Sequence, residues 1–237
     1  MGAKRNSQKT SSYANVVNIN FTSLQASKVK LLPRNTNQEQ YVINLMDNSK
    51  DIVFGIGPAG TGKTLLAVQA AIKQFKEKEV DKIIITRPAV SVDEDLGFLP
   101  GTLEEKMAPW TIPVMSIFEE YYHPTSIKSM LVDKVIEIAP LAYMRGRTFK
   151  NSFIIADEVQ LTTLNQMKML LTRIGEGSKM AITGDLNQSD RLLNNGLRDF
   201  LNKLEKFSSN RISITHFNNN DIERHPVVEE ILQIYNF

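Results

Sequence analysis

The octapeptide Gly57-Pro58-Ala59-Gly60-Thr61-Gly62-Lys63-Thr64 fits G-x-x-x-x-G-K-[ST], and it joins an apolar, β-branched run at 52–56 to an amphipathic pattern at 64–75. Strand, glycine-rich loop and helix in that order form the setting in which this pattern binds phosphate. The glycines let the chain curl until successive N–H groups point inward at phosphate oxygens. Lys63 supplies a point charge for the β and γ phosphates, Thr64 a hydroxyl ligand for Mg²⁺, and the helix start the positive end of its dipole. The stretch from Gly57 through Leu65 is therefore the expected nucleotide-phosphate site.

The rest of the chain repeats the theme. β-Branched runs at 82–86, 134–138, 152–156, 179–183 and 211–215 alternate with helical patterns at 101–121 (interrupted by Pro109 and Pro113), 164–174, 196–206 and 226–235. A short helix at 37–46 precedes the first strand. Strand alternating with helix predicts an α/β fold with a mainly parallel sheet and helices on both faces. The 237 residues suit one such domain, expected over 36–237. Before it, 1–35 reads as a flexible basic arm carrying Lys4, Arg5, Lys9, Lys28 and Lys30, either a solvated tail or a nucleic-acid contact. Cysteine is absent, which excludes disulfides, thiolate metal sites and cysteine nucleophiles. No apolar run is long enough to span a bilayer and no signal-peptide pattern is present, so a cytoplasmic protein is expected. With 28 basic against 26 acidic residues, any nucleic-acid surface must be a local patch.

In a parallel sheet the C-terminal strand ends frame the ligand crevice. Asp157 and Glu158 follow the run at 152–156 and are expected beside the phosphate loop, one carboxylate holding Mg²⁺ and the other taking a proton from attacking water. Gln188 follows the run at 179–183, where an amide suits orienting water or sensing the γ-phosphate. An arginine is the expected partner for charge developing on the transferred phosphoryl group. Arg87, Arg145, Arg147, Arg173, Arg191 and Arg224 are the candidates, and each is also open to a plain surface role. His123, His216 and His225 are too scattered to suggest a metal cluster.

Seven segments in order, FGIGPAGTGKT (54–64), ITRPAV (85–90), LGFLPG (96–101), PLAYMRGRT (140–148), DEVQ (157–160), TGDLNQ (183–188) and RHPV (224–227), resemble the PhoH-like ATPases. The nucleotide-binding core of that family is similar to the first RecA-like lobe of superfamily 1 helicases. The resemblance implies a RecA-like P-loop NTPase fold, ATP and Mg²⁺ as cofactors, Lys63 and Thr64 as the Walker A pair, Asp157 on Mg²⁺, Glu158 as base and Gln188 as γ-phosphate sensor. It implies an adenine-reading amide at Gln38, with Gln40 as a second possibility. The nuclease-like and KH-like regions of some longer relatives, and a second RecA-like lobe, are not expected in this chain. A single lobe then needs its catalytic arginine from a neighbour, with Arg224 first choice and Arg145 or Arg147 next. That implies a homo-oligomeric ring, expected as a hexamer. RNA or single-stranded DNA is the expected partner, and no membrane is. Two rivals stand beside this reading: an ATP-dependent protein-binding switch, and a small-molecule kinase, against which the Asp157–Glu158 pair argues because activating water suits hydrolysis.

Overall fold

The computed structural model describes residues 29–88, 103–189 and 194–223, with positions 227, 228 and 234. Short runs rich in Ile, Val, Phe and Thr become strands β1 (Ile52–Ile56), β2 (Lys82–Thr86), β3 (Ile136–Ile138), β4 (Ser152–Ala156), β5 (Lys179–Gly184) and β6 (Ile212–His216). Every pairing among them is parallel, in the order β3-β2-β4-β5-β1-β6. Helix α1 (Thr36–Met46) precedes β1. Parallel neighbours require crossovers, and the segments between strands supply α2 (Lys63–Lys76), α3 (Leu103–Glu119), α4 (Pro124–Val132), α5 (Leu164–Leu171) and α6 (Gly196–Leu204). The expected α/β, RecA-like P-loop architecture is what the sheet displays.

Alternation along each central strand splits the core in two, because successive side chains leave opposite faces of the sheet. Val53, Ile83, Ile85, Phe153, Ile155 and Ala181 pack with Leu45 of α1, Ala67 and Ala71 of α2, Val114 and Phe118 of α3 and Ile127 of α4. Phe54, Ile84, Ile154, Met180 and Ile182 face the other way, onto Met167 and Leu170 of α5 and Leu197 and Leu201 of α6. Each fully buried Ile, Leu or Phe contributes about 1.5–3 kcal/mol, and burial on both sides of the sheet reinforces the strand preference of its β-branched residues. The packed part reaches back to Val29, which lies in the first of these clusters, ahead of the boundary that composition suggests at residue 35.

The described structure departs from the sequence reading in three places. No interruption occurs at Pro109 or Pro113, since α3 is continuous across both. A proline forfeits one intrahelical bond, but Val114 and Phe118 anchor the helix by burial against α2. Next, β3 begins at Ile136, later than expected, because Lys134 adopts φ 55° in the turn that precedes it. Finally, α4 is an unforeseen helix, opened by Pro124 at its first turn and capped by His123, whose side chain accepts from Thr125 N. Most of the helix expected at 226–235 lies outside the described residues.

Candidate nucleotide site

Four strand ends converge. After β1 the chain enters the loop at Gly57, whose N–H donates to Gly184 O at the end of β5 (3.0 Å). After β4, Asp157 N–H donates to Thr86 O at the end of β2 (3.0 Å), so the carboxylate pair is fixed to the sheet before its side chains act. Gly57 has φ 147°, and a Cβ there would lie 2.3 Å from Phe217 O, so no other residue fits this turn without displacing backbone. Gly62, at φ 77°, caps α2 and turns the loop into the helix.

Inside the loop Lys63 Nζ donates to Gly57 O (2.7 Å), Pro58 O (2.5 Å) and Thr61 Oγ1 (3.1 Å). Burial pulls this ammonium below the ordinary lysine value, while the negative charges of Asp185, Glu158 and Asp157 act in the opposite direction. The amine is thus held at the loop by oxygen contacts that phosphate oxygens can replace. Thr64 Oγ1 donates to Asp157 Oδ1 (2.8 Å), and Thr183 Oγ1 donates to that same oxygen. A hydroxyl and a carboxylate in contact form an oxygen-only donor set that suits a hard cation such as Mg²⁺, which keeps several waters and phosphate oxygens in its shell. The residues present therefore fit both a nucleotide phosphate and Mg²⁺.

Glu158 sits at φ 55°, ψ 38°, left-handed backbone for a residue with a Cβ. Such a conformation costs about 1–3 kcal/mol and persists where surroundings enforce it. It breaks the chain sharply after the strand and begins the 3₁₀ turn Val159–Leu161. The Glu158 carboxylate accepts from Gln160 Nε2. Lys63, Thr64, Asp157, Glu158 and Gln188 all line one small cavity of about 200 Å³. A neighbouring cavity of about 750 Å³ shares Gly60, Gly62 and Leu65 with it and is walled by Gln38, Gln69 and Tyr121. Gln38 is buried there, donating through Nε2 to Thr61 O (3.2 Å) and accepting from Arg34 N–H (2.8 Å). Gln40 lines neither cavity; it is exposed and donates to Asn44, which reaches Thr215 of β6. A third cavity, about 620 Å³, lies at the opposite end of the sheet, where Arg211 pairs with Asp51 and Lys50 Nζ caps Asn210 O.

The candidate arginines separate. Arg147 forms a two-pronged pair with Glu137 and lies over the Phe149 ring at 4.5 Å. Arg173 Nη1 donates to Arg147 O (2.9 Å) and its Nε to Met169 O (3.0 Å), which makes it a brace for that turn. Arg145 is exposed, and neither it nor Arg147 lines the two cavities beside the loop. Arg87 directly follows β2. Arg191 and Arg224, with His225, lie outside the described residues. Sequence reading assigned no separate role to Thr183 or Gln160, although both stand in quoted motifs, nor to Gln69 and Tyr121, for which spacing offered no signal.

A phosphate-cradling loop, an amine inside it, and a hydroxyl–carboxylate pair at adjacent strand ends define a P-loop nucleotide-binding protein. The "PhoH-like protein" family profile matches residues 30–236, and the chain belongs to that family. It is 44% identical over 224 residues to the "PhoH-like protein" of Mycobacterium tuberculosis (strain ATCC 25618 / H37Rv), covering 94% of this chain and 62% of the relative. Against the "PhoH-like protein" of Bacillus subtilis (strain 168) the identity is 46% over 200 residues, covering 84% of this chain and 61% of the relative. "Protein PhoH" of Escherichia coli (strain K12) is 39% identical over 209 residues, with 86% and 58% covered. The chain thus spans about three fifths of the length of these relatives. Among solved structures, the Sulfolobus solfataricus SWI2/SNF2 ATPase core in complex with dsDNA aligns with TM-score 0.46 and 19% identity, over 86% of this chain and 49% of that one. The Pif1 helicase from Candida albicans aligns with TM-score 0.41 and 17% identity, over 85% and 43%. Among the described residues no helix is long and apolar enough to cross a membrane.

Proposed function

We propose that this protein is a Mg²⁺-dependent ATPase of the cytosol, working as a homo-oligomeric ring whose hydrolysis is coupled to RNA or single-stranded DNA. The observation that carries the hydrolytic part is the contact of Thr64 Oγ1 with Asp157 Oδ1 beside Glu158, in one cavity with Lys63. In this reading Lys63 and the loop N–H groups bind the phosphates. Thr64 and Asp157 would hold Mg²⁺, which when bound would neutralise phosphate charge. Glu158 accepts a proton from the attacking water, and Gln188 orients that water or the γ-phosphate. The base sits in the larger cavity, where Gln38 and the Tyr121 wall favour adenine. An arginine from the adjacent subunit completes the transition-state charge, a role supported by the absence of Arg145 and Arg147 from the two cavities of their own chain. The ring rests on the resemblance to PhoH-like ATPases and on the arginine sought from a neighbour, and the nucleic-acid partner on the likeness of that family's core to a helicase lobe.

The test is ATP turnover by protein of known oligomeric state, with and without Mg²⁺ and with and without RNA or single-stranded DNA. Turnover that vanishes on chelation of Mg²⁺ and rises with one nucleic acid supports the whole proposal. Turnover indifferent to both nucleic acids leaves an ATPase and removes the coupling, which favours the switch. Absence of any turnover in assembled protein overturns the enzyme reading.

A further inference from the structure

Gln160 is held at both ends of its amide and at its main-chain carbonyl, and each contact joins a different part of the site. It lies in the 3₁₀ turn after Glu158 with 1% of its surface exposed. Its Nε2 donates to the Glu158 carboxylate, and its Oε1 accepts from Asp185 N–H (3.1 Å). Its backbone oxygen accepts from Ser189 Oγ (3.0 Å) and Asn195 Nδ2 (2.8 Å). Asp185 and Ser189 bracket the 3₁₀ turn Leu186–Gln188 that carries Gln188. Asp185 also organises that turn, accepting from Asn187 N–H at Oδ1 (3.0 Å) and from Gln188 N–H at its carbonyl (3.1 Å).

We propose that Gln160 is a positioning residue that ties the orientation of Glu158 to the position of the Gln188 turn, so that proton acceptance and phosphate sensing are set together. The proposal rests on the hydrolytic reading above. An amide is an uncharged group that donates at one end and accepts at the other. Here both functions are used in a buried place, where an unmet partner is costly. No slack is available at the crossing: a Cβ on Gly184 would lie 3.1 Å from Gln160 Oε1 and 2.9 Å from Leu197. A displacement of Asp185 N–H therefore passes through a rigid planar amide to one carboxylate oxygen of Glu158.

The test measures kcat and KM for ATP in the full chain for wild type, Gln160→Glu, Gln160→Met, Ser189→Ala, Gln188→Ala and the Gln160→Glu/Gln188→Ala double variant. Gln160→Glu keeps an acceptor for Asp185 N–H but cannot donate to Glu158 when ionised; Gln160→Met keeps length and loses both bonds. Both should lower kcat about 10- to 100-fold, the cost of misplacing a reacting group by about an ångström, with KM within about threefold. Ser189→Ala, which removes the outer tie to Gln160 O together with the bond from Asn195 Nδ2 (2.6 Å) but leaves both amide contacts, should lower kcat less. The double variant should lose less than the product of the two single losses, because part of what Gln160→Glu disturbs is the placing of the amide that Gln188→Ala removes. Rates that multiply, wild-type kcat in the Gln160 variants, or losses of kcat and nucleotide affinity that track a lowered unfolding temperature would overturn the proposal. Should the Gln160 variants not fold, Ser189→Ala with unchanged kcat overturns it. Glu158→Gln run in parallel separates the two claims. If it hydrolyses ATP like wild type, or wild type hydrolyses none, the hydrolytic reading and this inference fall together. If it is dead while the Gln160 variants are normal, the inference alone falls.

Discussion

Lys63 and Glu158 occupy the same small cavity, yet their chemistry predicts opposite defects. Lys63→Ala removes charge-assisted bonds worth about 1.5–3 kcal/mol, so ATP affinity should fall roughly 10- to 100-fold, as read by titration with a fluorescent ATP analogue. Glu158→Gln keeps size and polarity but cannot accept the proton; binding should persist while single-turnover hydrolysis drops about 10²- to 10⁴-fold. Normal turnover in that variant would remove Glu158 from the base role. Gln38→Ala should erase any preference for ATP over GTP and also weaken binding of both, because the amide steadies the loop through Thr61 O; an unchanged preference would remove the adenine-reading role. Much of this chemistry was legible because it is local: eight consecutive residues write the loop, and two carboxylates at a strand end announce themselves. Gln160 was not legible in the same way. Its partners Asp185 and Asn195 arrive only when β5 and α6 are in place, and nothing in the spacing of DEVQ signals them.

At the level of elements, the loop and the helices beneath it are held by a few unusual anchors. Gly57→Ala puts a Cβ against Phe217 O, and the strain should cost about 1–3 kcal/mol in denaturant unfolding, together with phosphate binding. Lys179, near the start of β5, donates to Leu45 O (2.9 Å) and Asp47 O (2.7 Å) and so caps the C-terminal end of α1. Lys179→Met should lower stability by about 1–3 kcal/mol. Burial depresses the Lys179 ammonium below its ordinary 10.5, with Asp47, Asp51 and Glu79 opposing. The unfolded chain then binds that proton more tightly than the folded one. The penalty is present in full below the folded value and relieved as pH rises toward the ordinary value, so this residue makes stability climb in mildly alkaline solution. The climb should be shallower in Lys179→Met; equal pH slopes for the two proteins would contradict the assignment. Strands were easy to read here because burial on both faces demands continuous β-branched runs. Helices were harder where tertiary contact overrode a local rule, as in α3 across its two prolines, or where a single turn of capping by His123 began α4 without a long apolar stripe.

For the molecule as a whole, the parallel character of the sheet followed from alternation of strands and helices, whereas strand order did not. It depends on which edges remain free as each crossover packs. Arg224→Ala should bind ATP nearly normally and hydrolyse it about 10³- to 10⁵-fold more slowly. Mixing it with Lys63→Ala should restore part of the rate, since a mixed boundary pairs an intact loop with an intact arginine. Verified mixed oligomers without recovery would count against an arginine acting between subunits. β1 lies between β5 and β6, Gly57 is pinned by Gly184 O, and Gly60 O receives Glu223 N–H, so the loop at 57–64 is completed by segments more than a hundred residues further on. At about 5–20 residues per second, a ribosome needs roughly 10–30 s to supply them. During that interval the nascent chain carries the full phosphate-binding motif and no formed cradle. Nucleotide affinity should therefore appear late in synthesis of this domain, switching on in stalled-chain experiments only after residue 223 has cleared the exit tunnel.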